Sequence, residues 1–174
     1  MHWFLCVFCQ TFYLHRYGAH GMFSMSKGWE RFFHLLTLVS QGPSYLNPRA
    51  YAILHREHHA YSDTEKDPHS PWVYPNFFKM MFHTLQRYQA HNHRRIEAEP
   101  RFDTGAPEWP AVDRFGRSWF AHLLFAGLYI GFYVIFAPSL VWFLLLPIHL
   151  LMGPIHGAIV NWCGHKYGYR NFET

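Results

Sequence analysis

Residues 118–164 contain no Lys, Arg, Asp or Glu, an uninterrupted run of 47 positions. A helix that crosses a bilayer takes about 20 predominantly apolar residues, so the run has room for two spans. Pro138, between Ala137 and Ser139, interrupts the pattern and predicts a tight turn joining helices over 119–137 and 139–161. Two uncharged stretches of that length are hard to bury inside a chain of 174 residues, which favours a transmembrane hairpin over a soluble core. All 15 Lys and Arg fall outside the run, thirteen within residues 16–117 and two just beyond it, Lys166 and Arg170. A hairpin returns to the side it left, so both charged parts share one face. The positive-inside tendency makes that face cytoplasmic.

Composition removes several other classes. Three cysteines (Cys6, Cys9, Cys163) cannot staple a secreted module, and a chain 50% hydrophobic and 20% aromatic is not a disordered tail. The net charge of +4 is small, and no stretch interleaves basic and exposed aromatic residues, so nucleic acid is not an expected partner. Residues 1–14 are apolar and uncharged but short for a span, and they lack a basic start and a small-residue cleavage site. They read as a partial transmembrane helix, with Cys6 and Cys9 as buried packing thiols. Residues 31–40 form an amphipathic pattern too short to span, which suits an interfacial or re-entrant helix, while 62–75 and 97–110 read as loops. The expected fold is all-α, one integral membrane helical domain with a cytosolic helical cap. Its parts are the partial helix at 1–14, a cytosolic or interfacial segment at 15–117, the hairpin at 118–164 and a cytosolic tail at 165–174.

Histidine is the anomaly of the composition, fifteen residues, as many as Lys and Arg together. The chemistry concentrates in an H-x4-H pair (His15, His20), an H-x2-HH cluster (His55, His58, His59) and an N-x3-H pair (Asn161, His165). On a helix, His55 and His59 lie about 40° apart, with His58 off that line, and Asn161 and His165 share the same relation. Scattered histidines such as His2, His34, His69, His83, His91, His93 and His122 read as satisfied core or surface residues. Clustered imidazoles are unfavourable without a metal or a network to satisfy them. Imidazole suits iron, zinc, copper and nickel, so ligand type does not name the metal. A zinc-protease motif needs Glu directly after the first His, whereas Arg56 follows His55 and the Glu is residue 57. There is no G-x-S-x-G, and Cys163 lies in the uncharged run, so hydrolase chemistry has no local support.

The segments HRYGAH from His15, HREHHAYSDTEKDPHSP from His55 and NWCGHKYGYRN from Asn161 together resemble the first two histidine boxes and the Asn-x3-His element of the membrane-bound fatty acid desaturases. The resemblance runs from about His15 to the end of the chain. It implies two iron ions held by His15, His20, His55, His58, His59 and His165, with Asn161 reaching a metal through water. It also implies the removal of two hydrogens from a saturated acyl chain, using dioxygen and two external electrons, to leave a cis double bond. The electrons come from a partner such as a ferredoxin, a rubredoxin or a small haem protein. The substrate is an acyl thioester of coenzyme A or of a carrier protein, or an intact lipid; Tyr51, Ala52, Ile53 and Leu54 stand where coenzyme A-dependent relatives often carry Trp and an Arg-Asp pair, which leaves the carrier open. Arg94 and Arg95 either bind a phosphate or face solvent.

The family completes its site with a further H-x2-HH or Q-x2-HH box, whereas this chain stops at Thr174. The expectation is therefore a fragment of a longer protein that binds metal incompletely and is inactive as it stands. The rival readings are a membrane di-iron hydroxylase or monooxygenase acting on a lipid, and a non-catalytic truncated membrane metal-binding protein. His149 and His156 share a face of the second span, and on a straight helix His156 stands about 140° from Asn161. They read as interhelical hydrogen-bonding or substrate-tunnel residues, not as ligands.

Overall fold

The computed structural model describes residues 1–167; residues 168–174, with Arg170 and most of the expected tail, lie outside the described residues. Among the described residues every regular element is helical and there is no strand, so the all-α expectation holds. Helix α1 (His2–Phe8) continues without a break into a π-helix, Cys9–Ala19, and Cys6 and Cys9 are buried free thiols. Helix α2 (Lys27–Gln41) stops at Gly42, whose φ of +52° is open to glycine and strained for other residues. A 3-10 turn, Gly42–Ser44, leads to α3 (Pro48–Tyr61), where Pro48 takes the first turn and the Asn47 side chain accepts from the Ala50 N–H at 2.9 Å. Helix α4 (Phe77–Asn92) is capped in the same way by Asn76, which accepts from the Lys79 N–H at 3.0 Å. Leu46, Ala50, Leu54 and Tyr88 form the apolar contact between α3 and α4.

After the short helix α5 (Pro110–Gly116), helix α6 (Trp119–Phe136) coincides with the first expected span. Among the described residues it is the one unbroken helix long and apolar enough to cross a membrane, and only 11% of it is buried. Trp119, Phe120, Leu123, Phe132 and Ile135 stand exposed on it. The second expected span, 139–161, is not a single helix. It is a 3-10 turn (Leu140–Leu145), α7 (Leu146–Leu150), α8 (Met152–Ala158), a second π-helix (Ile159–Cys163) and α9 (Gly164–Lys166), with a 70° bend at Leu151. Proline causes the break: Pro147 and Pro154 have no N–H to give to the carbonyls one turn earlier. The bend is docked on the 3-10 turn, where the Gly153 N–H donates to Ser44 Oγ at 3.2 Å and a Cβ at 153 would sit 3.0 Å from the Ser44 carbonyl oxygen.

Helix α2 is built inside out. Glu30, His34, Thr37 and Gln41 face inward, while Trp29, Phe32, Leu35 and Val39 are exposed. A water-soluble amphipathic helix has the opposite arrangement, and such an outward apolar stripe matches lipid rather than water. Most of the inward groups are paired, Gln41 Nε2 being without a hydrogen-bond partner among the described residues. His34 Nε2 donates to Asp113 Oδ1 at 2.9 Å and its Nδ1 accepts from the Tyr13 hydroxyl at 3.1 Å, while the Tyr45 hydroxyl donates to Asp113 Oδ1 at 2.9 Å. His34 is thus the satisfied core residue that its isolation in the sequence suggests.

Tyr45 is wedged between this network and Gly116, where a Cβ would lie 2.4 Å from the ring. Gly116→Ala is expected to destabilise the fold by about 1–3 kcal/mol. Gly127→Ala, where the new methyl meets nothing within 4 Å, is expected to leave stability unchanged or raise it by up to about 1 kcal/mol. Thermal melts in detergent would compare the two variants.

Candidate metal centre

In an α-helix a five-residue step ends about 140° round the axis, which would point His15 and His20 apart. The π-helix removes this obstacle. The His20 N–H donates to the His15 carbonyl at 3.0 Å, an i→i+5 bond that widens the turn, and the two Nε2 atoms come within 3.2 Å. On α3, His55 and His59 share a face by ordinary α-helical spacing, with Nε2 atoms 3.0 Å apart, and His20 Nε2 lies 2.9 Å from His55 Nε2. One ring nitrogen from each of His15, His20, His55 and His59 therefore falls within 4.8 Å of the others.

Arg56 brings the two helices to this distance. Its guanidinium donates to the carbonyls of Ala19 (2.7 Å) and Gly18 (3.0 Å) at the end of the π-helix, and to those of Phe102 (2.8 Å) and Thr104 (2.6 Å). Helix ends leave carbonyls without intrahelical partners, and a planar fork of donors can serve several at once. Behind α3, buried Glu57 accepts from Arg87 at 2.9 and 3.1 Å and lies 3.3 Å from His91 Nε2.

The donor set fits a cation. A ring nitrogen either donates one hydrogen or offers one lone pair, yet His20 Nε2 and His55 Nε2 each face two other ring nitrogens. Protons alone cannot satisfy all of these contacts with good geometry, whereas an ion at the centre takes every lone pair. Burial, and then repulsion from the neighbouring imidazoles, pushes His55 down to about 2 and lowers His59. Both shifts favour the neutral ring, the state that metal binding requires.

His58 points off the His55–His59 line and belongs to a second group. Its Nδ1 donates to both carboxylate oxygens of Asp67, each at 2.9 Å, which leaves Nε2 as a lone pair. His165 Nδ1 lies 3.4 Å from Asp63 Oδ1, and its ring centroid is 4.9 Å from that of His58. His69 packs on the other side of His58, with ring centroids 4.3 Å apart. Asp67 is close enough to be a ligand, but its oxygens also accept the N–H groups of His69 (3.0 Å) and Asp63 (2.9 Å). Burial alone would raise this carboxyl; the hydrogen bonds from His58 and the backbone hold it below the usual carboxylate range. Its role is to orient imidazoles. The segment that reads as a loop at 62–75 thus supplies both carboxylates, and sequence reasoning missed Asp63, Asp67 and the carbonyl contacts of Arg56. The one signal available was two Asp four residues apart, directly after an H-x2-HH.

Both groups border a cavity of about 530 Å³ between α1 with its π extension, α3, α4 and α8. His15, His55, His69 and Asn161 line it on the side of the histidine groups, and Trp3, Leu54, Met81, Leu85 and Gly157 are among its apolar wall. His156 also lines it and lies 3.2 Å from Gln10 Oε1, while His149 Nδ1 lies 2.6 Å from the Tyr133 hydroxyl of α6. His149 thus makes an interhelical bond, and His156 makes both an interhelical bond and a cavity wall. The straight-helix separation of His156 and Asn161 does not apply, because the second π-helix intervenes and both residues reach the same cavity.

Compared with known proteins, the chain matches the family described as fatty acid desaturase over residues 1–174. It is similar to a hex-5-enoyl-[acyl-carrier protein] acetylenase of Moorena producens (strain JHB), 37% identical over 70 residues, which are 40% of this chain and 21% of that protein. It is also similar to the Delta-9 desaturase-like 2 protein of Arabidopsis thaliana, 38% identical over 64 residues, 36% of this chain and 20% of that protein. The matched stretch spans about a fifth of each relative's length. No solved structure matches the chain.

If Asp67 orients His58, Asp67→Asn is expected to weaken metal binding by about 10–100-fold while leaving the helical content unchanged. Competition for cobalt(II) against a chelator, followed beside far-ultraviolet circular dichroism, measures both.

Proposed function

The chain belongs to the fatty acid desaturase family, and on that premise we propose that it is an oxygen-dependent acyl desaturase with a di-iron centre. The observation that carries this reading is the convergence of the His15, His20, His55 and His59 nitrogens beside an apolar cavity. His15, His20, His55 and His59 hold one iron; His58 and His165 serve the other, with Asn161 acting through water. Bound there, two iron ions supply what no side chain can, the removal of hydrogen from a saturated carbon with dioxygen and two external electrons.

The chain's own residues handle the substrate and the protons. The cavity walls exclude water and fix one stretch of the acyl chain against the histidines, which converts an unselective oxidation into one at a defined position. A volume of about 530 Å³ is in the range of pockets that enclose a ligand of this size. Asp67 holds the Nδ1 proton of His58, which keeps the opposite nitrogen bare, and the Asp63 carboxylate stands 3.4 Å from His165 Nδ1. The exposed apolar surfaces of α2 and α6 lie in the bilayer, and the histidine groups lie on its cytoplasmic face, the side on which the basic residues gather. The substrate is an acyl thioester or lipid, and the electrons come from a separate ferredoxin, rubredoxin or small haem protein. The relative named as an acetylenase supports a closely related reaction, a further dehydrogenation of a chain that is already unsaturated.

Host cells expressing the gene that encodes this chain are expected to accumulate acyl products lacking two hydrogens, and His20→Ala to abolish them. Products that instead gain an oxygen atom, read by mass spectrometry, would overturn the desaturase reading in favour of a hydroxylase. Gly157→Leu, placed where a Cβ meets nothing within 4 Å, is expected to shorten the preferred acyl chain by roughly two to four carbons, the volume its side chain adds to the cavity.

A further inference from the structure

The two histidine groups are unequal. Four imidazoles converge in the first, whereas in the second the converging groups are His58, Asp67 and His69, with the His165 ring centroid 4.9 Å from that of His58. His69 stands beside them, ten residues beyond His59 in the same segment but outside the H-x4-H, H-x2-HH and N-x3-H clusters. It is 4% exposed, and neither of its ring nitrogens has a hydrogen-bond partner among the described residues. Buried imidazole nitrogens are ordinarily paired, so an unpaired ring at this depth lacks something that the folded chain alone does not supply.

The position of His69 is built in. Its backbone N–H is held by Asp67 Oδ1 at 3.0 Å, so the carboxylate that orients the His58 ring also fixes the main chain of His69. The ring lies 4.3 Å from that of His58 and lines the cavity that His15, His55 and Asn161 reach. Two imidazoles make a poor site for a transition-metal ion, and three protein ligands with an open position is the usual reactive arrangement. We propose that His69 is a third imidazole ligand of the metal site that His58 and His165 serve. The proposal rests on the metal-centre reading above and adds to it a residue that the histidine boxes do not contain. Asp67 then acts as a hub, setting the ring of one ligand and the backbone of another.

Cobalt(II) titration of the purified chain in detergent, followed by visible and near-ultraviolet absorption, tests this without turnover. The wild type and the exposed-site control His93→Gln are expected to bind two equivalents, a result that replaces the expectation of incomplete metal binding drawn from the histidine boxes alone. His69→Gln should keep the first and weaken the second by at least about 10–100-fold, the loss that removal of even an outer partner of a ligand produces. His69→Cys should keep both equivalents and add a thiolate-to-cobalt charge-transfer band absent from the wild type, which requires residue 69 to touch the metal; this variant carries the test if His69→Gln does not fold. An undiminished second equivalent in His69→Gln, or a second equivalent in His69→Cys without the new band, overturns the role of His69 and leaves the centre itself standing. A wild-type chain that binds no cobalt overturns both.

Discussion

The arrangement of the site depends on the hold that Arg56 has on four backbone carbonyls. Gly18 and Ala19 close the helix that carries His15 and His20, Arg56 itself sits among His55, His58 and His59, and Phe102 and Thr104 belong to the connection between α4 and α5. One guanidinium thus ties three segments that are remote in sequence. Arg49, earlier on α3, pairs with Asp103 of the same connection. A lysine in place of Arg56 could serve such a set only in part, because its ammonium lacks the planar fork. The Arg that excludes a zinc-protease motif in the sequence is, in the fold, the residue that brings the two histidine helices together.

A second constraint is the inversion of the usual inside and outside. The buried positions of α2 are largely polar, and its exposed positions are apolar; α6 exposes apolar side chains along most of its length. Apolar burial between α3 and α4 is modest, so cohesion rests to an unusual degree on polar contacts: His34 with Tyr13, Tyr45 and Asp113, and Glu57 with Arg87. Polar contacts and close packing hold helices together where little apolar surface is buried between them. The docking of Gly153 against Ser44 is of this kind, with backbone approaching backbone where a side chain would intrude.

Departures from ideal α-helix occur where function concentrates. A π-helix aligns His15 with His20, another carries Asn161, and the proline-induced bend at Leu151 stands between α7 and the cavity-lining α8. Each costs regular hydrogen bonding and each re-aims a side chain that regular spacing would misdirect. Straight-helix geometry, applied to residues 139–161, gives one uninterrupted span and sets His156 apart from Asn161. Pro147 and Pro154 were visible in the sequence, but whether a proline kinks a helix or ends it depends on what receives the bend, and here that is the Ser44 turn.

The sequence alone determined the all-α class, the long apolar helix α6, the burial of Cys6 and Cys9 and the family resemblance carried by the histidine spacings. These follow from local properties: the lack of charge over 118–164, the spacing of imidazoles and the absence of competing motifs. The tertiary structure alone decided that His15, His20, His55 and His59 meet as one group while His58 turns to another, that Asp67 orients the His58 ring and that Asp63 comes near His165. It also decided that Arg56 joins the parts and that His69 is buried without a hydrogen-bond partner. The physical reason is that a hydrogen bond is made between groups a few ångströms apart in space, whereas the sequence orders the same groups along a chain. Nothing in the run from Ser62 to Pro75 marks two of its aspartates as partners of imidazoles until the fold closes the distance.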